Sequence, residues 1–521
     1  MASDTKLGGD VKAALGVALL LLFVAVGVGD TSLGIAVTLI DFVLVVYVMT
    51  RVPVRLSLMA MMFFAFALPN LNEGQPTPWA PPFATLGQIL LDHLNTVDRS
   101  IGAFSALSFS GFDVLFGVLF LIILSRKSSG SKLDSAGRFP TPRPMIQLAY
   151  VSLAGTAFSW LSGMARGGDF GYSLWGVNAV MYLPLLFLLF QYGLRGPKDH
   201  ESLARVLLAA AIYKCFLAVY VVNTIVMPMD PETGSTRPPY ATAHSDSMLF
   251  AAAFVIILAP LVEGIRGKAR RNALIFLPIL AMGTAANNRR LAWVQVGLVF
   301  LTVYLVSRES PIKRKIRRSL LAATPLIIAY MIAGWNSTYG STFKPVRMVR
   351  SIVDAQTDAS SLWRELENVN IIATFRSHPF IGTGWGHPYE QIAVLPAVDY
   401  SLELYMPHNS LLGLWGYTGY VGFAAVSSLW VAGVYFAMRA YYGSVDPKNR
   451  AAALVSFGAI LSYLMQSWGD LGLGQWTGVY LMGSSLAVAS KLATSTGQWG
   501  SPPKSATSGA TPKAQAAAAP F

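Results

Sequence analysis

Apolar stretches of membrane-crossing length succeed one another along almost the whole chain, separated by short polar connections. A spanning helix needs about 20 mainly apolar residues. On that rule the pattern predicts about fourteen spans, centred near residues 20, 41, 62, 113, 155, 183, 216, 255, 280, 299, 327, 424, 459 and 482. The expected fold is an all-α polytopic membrane protein, with one transmembrane domain over residues 1–491 whose helices share an interior. From residue 492 the chain turns to Ala, Pro, Ser, Thr, Gly and Lys, which predicts a disordered tail. One stretch departs from the apolar pattern. Between Arg364 and Gly422 polar, aromatic and glycine residues accumulate, first in RELENVNIIATFRSHPFIGTGWGHPYE and then in MPHNSLLGLWGYTGYVG. Chemistry is expected there.

The basic residues orient these spans. With the N-terminus inside, the inner connections carry Arg51 and Arg55, the group from Arg126 to Arg143, Arg195 with Lys198 and Arg205, the group from Arg266 to Arg271, that from Arg308 to Arg318, and Arg439 with Lys448 and Arg450. Each strongly basic connection thus falls on the cytoplasmic side, as positive-inside topology requires, and both termini are expected there. The first apolar stretch, after Lys6 and Lys12, has no small-residue cleavage pattern and reads as a retained helix. Four pieces are then expected outside: residues 70–100, the turn MARGGDFG, the segment 228–246, and a long loop from about 335 to 409. A loop of that length is a functional candidate. Within the first piece, residues 82–97 place apolar side chains at helical spacing opposite Asp92 and His93, the pattern of a helix lying in the membrane interface.

Composition agrees: 54% of residues are hydrophobic and only 12% charged, too apolar for an ordinary soluble chain. The net charge of +13 does not point to nucleic acid, because the Lys and Arg sit beside apolar spans. The single cysteine, Cys215, excludes an intrachain disulfide and a cysteine-built metal site. Gly-x-Ser-x-Gly, His-Glu-x-x-His and Asp-rich metal-and-sugar-nucleotide motifs are absent, which argues against a metalloprotease and a sugar-nucleotide enzyme.

The candidate residues are outward cations and aromatics. Arg166, in GMARGGDFG, reads as an anion ligand or as the partner of Asp169. Arg289 and Arg290, beside two asparagines in AANNRRLAW, form a dense donor cluster that suits an anion site or a snorkelled pair. Arg364 and Arg376 lie in the long loop. In HPFIGTGWGH the alternating Gly382, Gly384 and Gly386 predict a tight turn, not a nucleotide-binding loop, and Trp385 is a candidate to stack on sugars or to sit at the lipid interface. Pro407, Asn409 and Ser410 are helix-start residues, so His408 is expected at or just before a helix N-terminus, as a general base or as a cap. His244, in TAHSDSMLF, occupies a similar position.

Taken together, HPFIGTGWG and PHNSLLGLWGYTGYVG resemble the "hPllGvGxG" and "HNxxLxxLxxxGxxG" signatures of the bacterial O-antigen ligase and O-antigen/exopolysaccharide polymerase superfamily. NNRRLAW is similar to its "SRxAW/L" element, with Arg289 in place of the usual small hydroxyl residue. SLWRELENVN resembles its Ser-x-x-x-Arg stretch, and RGGDFGYSLWG its outer turn between two middle spans. The resemblance implies a GT-C-like helical bundle in the bacterial inner membrane, with a periplasmic active site. It further implies a metal-independent, inverting glycosyltransferase without cofactors, whose donor is an undecaprenyl-diphosphate-linked glycan and whose acceptor is a glycan or a lipid-linked glycan. By motif position the essential arginine falls on Arg290, the essential histidine on His408 and a further arginine on Arg364; Arg166 follows more weakly. A polymerase is the first expectation and a ligase joining O-antigen to lipid A-core the second. A flippase of the same lipid-linked glycan is the alternative from another class, which the nearly uncharged spans disfavour.

Overall fold

The computed structural model describes residues 9–28, 32–68, 84–91, 110–130, 133–134, 138–226, 241–337, 342–354, 359–396 and 402–500. Asp92 and His93 of the interfacial candidate, most of the segment 228–246 and the tail beyond residue 500 lie outside these residues. Among the described residues every long element is a helix and there is no strand. In chain order they are α1 (Gly9–Val28), α2 (Ser32–Arg51), α3 (Val54–Ala67), α4 (Ala84–Leu91), α5 (Gly111–Ser128), α6 (Arg143–Ala165), α7 (Phe170–Gly193), α8 (Pro197–Val221) and α9 (Asp246–Val262). There follow α10 (Lys268–Asn287), α11 (Arg290–Val306), α12 (Pro311–Gly334), α13 (Lys344–Val353), α14 (Ala359–Ser377), α15 (Ser410–Gly443), α16 (Pro447–Gly469) and α17 (Trp476–Ser495).

All fourteen expected span centres fall on helices. Among the described residues five helices are long and apolar enough to cross a membrane, those beginning at Phe170, Pro197, Pro311, Ser410 and Pro447. Shorter apolar helices run over Val54–Ala67, Asp246–Val262 and Arg290–Val306. These features are those of a membrane protein. The core is gathered around α7, α9, α15, α16 and α17, where Phe187, Phe250, Phe436, Tyr463 and Tyr480 are buried. By contrast α12 buries only Lys313 and Gly334, so most of its apolar surface faces outward.

The sequence supplies the helix boundaries. Ser110 and Asp113 form a reciprocal capping box at the start of α5. Asp169 accepts from Tyr172 N at the start of α7, and Asn409 from Leu412 N at the start of α15. Asn288 closes α10 in the left-handed region, φ 57°, which Asn tolerates better than most residues, and the extended Arg289 then opens α11.

The stretch expected as a long loop is largely ordered. It folds into α13, α14 and the glycine turn, because Trp363, Glu367, Asn370, Ile371 and Thr374 recur at helical spacing and lay one face of α14 against the bundle. The end of the domain also differs from the expected boundary at 491. Helix α17 runs on to Ser495, after which Gln498 Nε2 donates to Gly443 O at 3.1 Å and Trp499 packs edge-on against Phe436, 5.2 Å between centroids. An aromatic and a hydrogen bond hold what composition alone assigned to disorder.

The glycine turn is fastened into a break in α15. Gly419 has φ 60° and ψ −169° inside this helix, so Tyr420 N and Val421 N lose their usual partners four residues back. They bond instead to Pro379 O (2.8 Å) and Phe380 O (3.1 Å). The carbonyls thereby freed, Gly416 O and Tyr417 O, accept from Thr383 N (3.1 Å) and Gly384 N (2.9 Å). The exchange gives these four backbone groups new partners, which a buried, water-poor position demands.

Candidate functional site

Five segments meet in one polar cluster. The loop before α9 brings His244, the N-terminus of α11 brings Arg289, α14 brings Arg364 and Glu367, the residue before the α15 cap brings His408, and the C-terminal cap of α16 brings Asp470. Neither Asp470 nor Glu367 stood out in the sequence. Asp470 sits in an ordinary QSWGDLGLG connection and Glu367 in a helical run with other acids.

Glu367 is fully buried, and its carboxylate accepts the His408 backbone N–H at 3.0 Å (Oε2) and 3.2 Å (Oε1). Its Oε1 also lies 3.4 Å from His408 Nδ1. The indole of Trp363 packs edge-on against the imidazole, with centroids 4.6 Å apart. The ring is thus held by a carboxylate on Nδ1 and by an aromatic wall, while 29% of its side chain stays exposed. A histidine so oriented presents Nε2 as the reacting nitrogen. Placed one residue before the N-cap Asn409, His408 is where the sequence put it.

Asp470 is the second buried carboxylate, its side chain 3% exposed. It contacts His244 Nδ1 and lies 3.5 Å from Arg364 Nη2. Burial pushes its carboxyl upward, but His244, Arg364 and His408 outweigh burial and hold it below the usual carboxylate range. Arg289 completes this side. Its Nε and Nη2 donate to Thr242 O at 3.2 and 3.0 Å, and Nη1 lies 2.6 Å from Nδ1 and 2.7 Å from Nε2 of His244. With Asp470 accepting from Nδ1, Nε2 is the ring atom left to accept from Arg289, an assignment that follows from the partners.

The remaining candidates are distributed differently. Arg290 Nη1 donates to Ser351 Oγ on α13 at 2.8 Å, so the two adjacent arginines serve different neighbours. Arg376 is exposed near the end of α14, twelve residues and about 18 Å of helix from Arg364. Arg166 does not take Asp169 as its anchor. It donates to Ser162 O (3.1 Å), Ser162 Oγ (3.0 Å) and Gly382 O (2.9 Å), and so ties the α6–α7 turn to the glycine turn, while Asp169 caps α7.

Trp385 is corrected by the structure. It is 5% exposed, lies against Tyr417 at 5.0 Å between centroids, and occupies the space a side chain on Gly176 would need. No face is left for a sugar. The three glycines around it are required by this clamp, for a Cβ would stand 2.3 Å from Tyr417 C at Gly382, 2.3 Å from Gly163 Cα at Gly384 and 2.5 Å from Asp169 O at Gly386.

The cluster can orient a base, place cations beside it and keep the Asp470 carboxyl ionised. Among the described residues no group of three His, Cys, Asp or Glu side chains is placed to hold a metal ion.

No curated protein matches the chain. The match that is found, over residues 273–427, spans most of α10 to the first half of α15; it includes Arg289, Arg290, Arg364, Glu367 and His408, and leaves out His244 and Asp470. It is to the family model described as O-antigen ligase, and it supports the O-antigen ligase and polymerase superfamily as the family of this chain.

Proposed function

We propose that the protein is a membrane glycosyltransferase that moves a glycan from undecaprenyl diphosphate to a hydroxyl of an acceptor glycan. The observation that carries the proposal is the pairing of His408 with the buried Glu367, one helical turn from Arg364. His408 Nε2 takes the proton of the acceptor hydroxyl as its oxygen attacks the anomeric carbon. The bond from that carbon to the diphosphate oxygen breaks with inversion, and the lipid diphosphate leaves with the electron pair. Arg364 and Arg290 bind the diphosphate through charge-assisted bonds. Arg289, whose donors are engaged by Thr242 and His244, holds the site in shape. Losing one donor to the developing charge costs roughly 3 kcal/mol by analogy with oxyanion-hole deletions. A metal is not required in this scheme.

The same reading takes the chain as a GT-C-like bundle of about fourteen spans in a bacterial inner membrane. Its termini are cytoplasmic and its site faces the periplasm. Polymerisation of O-antigen or exopolysaccharide is the first reading. Ligation of O-antigen to lipid A-core is the second, favoured by the description of the matching family. Purified protein given an undecaprenyl-diphosphate-linked glycan and an acceptor should form a new glycosidic bond, with EDTA present or absent. Absence of product from wild type, or full activity of His408→Ala, would overturn the proposal.

A further inference from the structure

Where the α6–α7 turn meets the segment before α15, two tyrosine rings lie face to face. Tyr172, in the first turn of α7, and Tyr405, three residues before His408, stack at 4.2 Å between centroids with 21° between their planes. The backbone of Tyr405 is held on both sides: its N–H donates to Leu402 O at 2.9 Å and its carbonyl accepts from Tyr417 Oη at 3.0 Å. The turn carries the exposed Asp169, whose Oδ1 accepts from Tyr172 N at 2.8 Å; among the described residues nothing bonds its Oδ2. Rings that served only to fasten the loop would be enclosed, as Trp385 and Tyr417 are at 5% and 3% exposure. Tyr172 and Tyr405 instead stay half-buried. Three steps of chain separate Tyr405 from His408, so their Cα atoms are at most about 11 Å apart, within the length of a short oligosaccharide.

We propose that the Tyr172–Tyr405 pair and Asp169 form the platform on which the acceptor glycan lies beside His408. The inference rests on the glycosyltransferase reading above and adds where the acceptor is held. A sugar ring offers an apolar face of C–H groups and an edge of hydroxyls; an aromatic face takes the first and a carboxylate accepts from the second. Tyrosines already held in place lose little conformational freedom when a ligand settles on them. Burial, then Tyr172, then the Asp169 carboxylate push the Tyr405 phenol above its ordinary value, so it stays a hydrogen-bond donor. The same carboxylate repels a diphosphate, and the arginines that suit one stand on α11 and α14, which contribute nothing to the platform. A neutral glycan is the ligand this chemistry fits.

The test uses the full-length protein in nanodiscs and two readouts. One is steady-state transfer with donor and acceptor varied separately. The other is binding, without donor, of the oligosaccharide released by mild acid from the cell's own surface glycan, followed by saturation-transfer NMR. Tyr405→Ala should raise both the acceptor KM and the oligosaccharide Kd at least about tenfold, equivalent to about 1.4 kcal/mol, with the donor KM unchanged. Tyr405→Phe keeps the ring face and should recover most of the loss. Asp169→Asn still caps α7, so it should keep the thermal midpoint while weakening acceptor binding about tenfold, the size of a lost charge-assisted bond. Tyr150→Ala, at a ring 60% exposed and about 24 Å of helix from Arg166, is the control. An unchanged acceptor KM in Tyr405→Ala and Asp169→Asn, a donor KM that rises instead, or no oligosaccharide binding by wild type would overturn the platform. Wild type that binds the oligosaccharide, with both variants weakened, yet forms no glycosidic bond would overturn the glycosyltransferase reading alone. Should Tyr405→Ala fail to fold, Tyr172→Leu and Asp169→Asn carry the comparison.

Discussion

Glu367 holds His408 twice, at the backbone N–H (3.0 Å) and at Nδ1 (3.4 Å), from a position with no solvent exposure. A carboxylate bound to Nδ1 fixes both the ring orientation and the tautomer. Glu367→Gln keeps the shape but puts an amide where the anion stood. Its kcat should fall about 100-fold or more with donor KM little changed, whereas His408→Ala should lose 10²–10⁴-fold, the usual worth of a general base. Steady-state kinetics on both variants decides this, and Glu367→Gln with wild-type kcat would rule out the orienting role.

Asp470 answers to His244 and Arg364 together. Asp470→Asn strips the charge from a buried site and leaves two cationic or polar partners uncompensated. Breaking a buried pair costs about 3–5 kcal/mol, and the partial exposure of both partners places this one near the lower end. The loss should appear as a lower thermal midpoint in detergent. Its pH dependence is also fixed. A carboxyl depressed on folding contributes stability that is fully present above its unfolded value, about 3.9, and is lost only as pH falls through the lower folded value. The difference between wild type and Asp470→Asn should therefore be no smaller at pH 5 than at pH 9; a difference that vanishes toward pH 5 would contradict the assignment.

A Cβ on Gly419 would stand 2.5 Å from Gly382 N, against backbone that cannot swing away. The φ of 60° adds a conformational cost of order 1–3 kcal/mol for an L side chain. Gly419→Ala should therefore expel the glycine turn from α15, lowering stability by several kcal/mol. Gly117→Ala, in α5 with open space around it, should be neutral or slightly stabilising under the same assay.

Adjacent arginines should behave differently. Arg289→Lys cannot reach Thr242 O and His244 at once, so it should lower the thermal midpoint as well as activity. Arg290→Ala should lose about 10²–10³-fold in kcat/KM for the donor, with a much smaller change in stability. Equal thermal losses in the two variants would remove the distinction.

Trp385→Phe should leave the KM of donor and acceptor unchanged, because the indole is enclosed by Tyr417 and Gly176 and its buried Nε1 makes no hydrogen bond. A sugar-stacking tryptophan would instead show a clear KM effect, measurable with the same donor series.

Much of the fold could be read directly, since apolar length is a local property and the bilayer imposes one rule on every span. The centres, the helix start at Ser410 and the turn at HPFIGTGWG all depend on residues near them in sequence. The paired arginines at the start of α11 are legible for the same reason. The stretch from 335 to 409 reads as a loop in the sequence because the helices described in it are polar and packed by protein, and membrane-length apolarity does not mark them.

The sequence by itself determined a helical membrane chain, its breaks, and the position of His408 beside a helix start. Only the tertiary structure decided which side chains meet. Glu367 and Asp470 became partners of His408, Arg364 and His244 across separations of 41, 106 and 226 residues, counted from their positions, and no local pattern encodes such distances. Trp385 and Arg166 passed from ligand candidates to fasteners of the glycine turn by the same cause. A buried charge or a bulky ring must find its complement wherever the bundle brings one, and that complement is set by packing between helices rather than by neighbours along the chain.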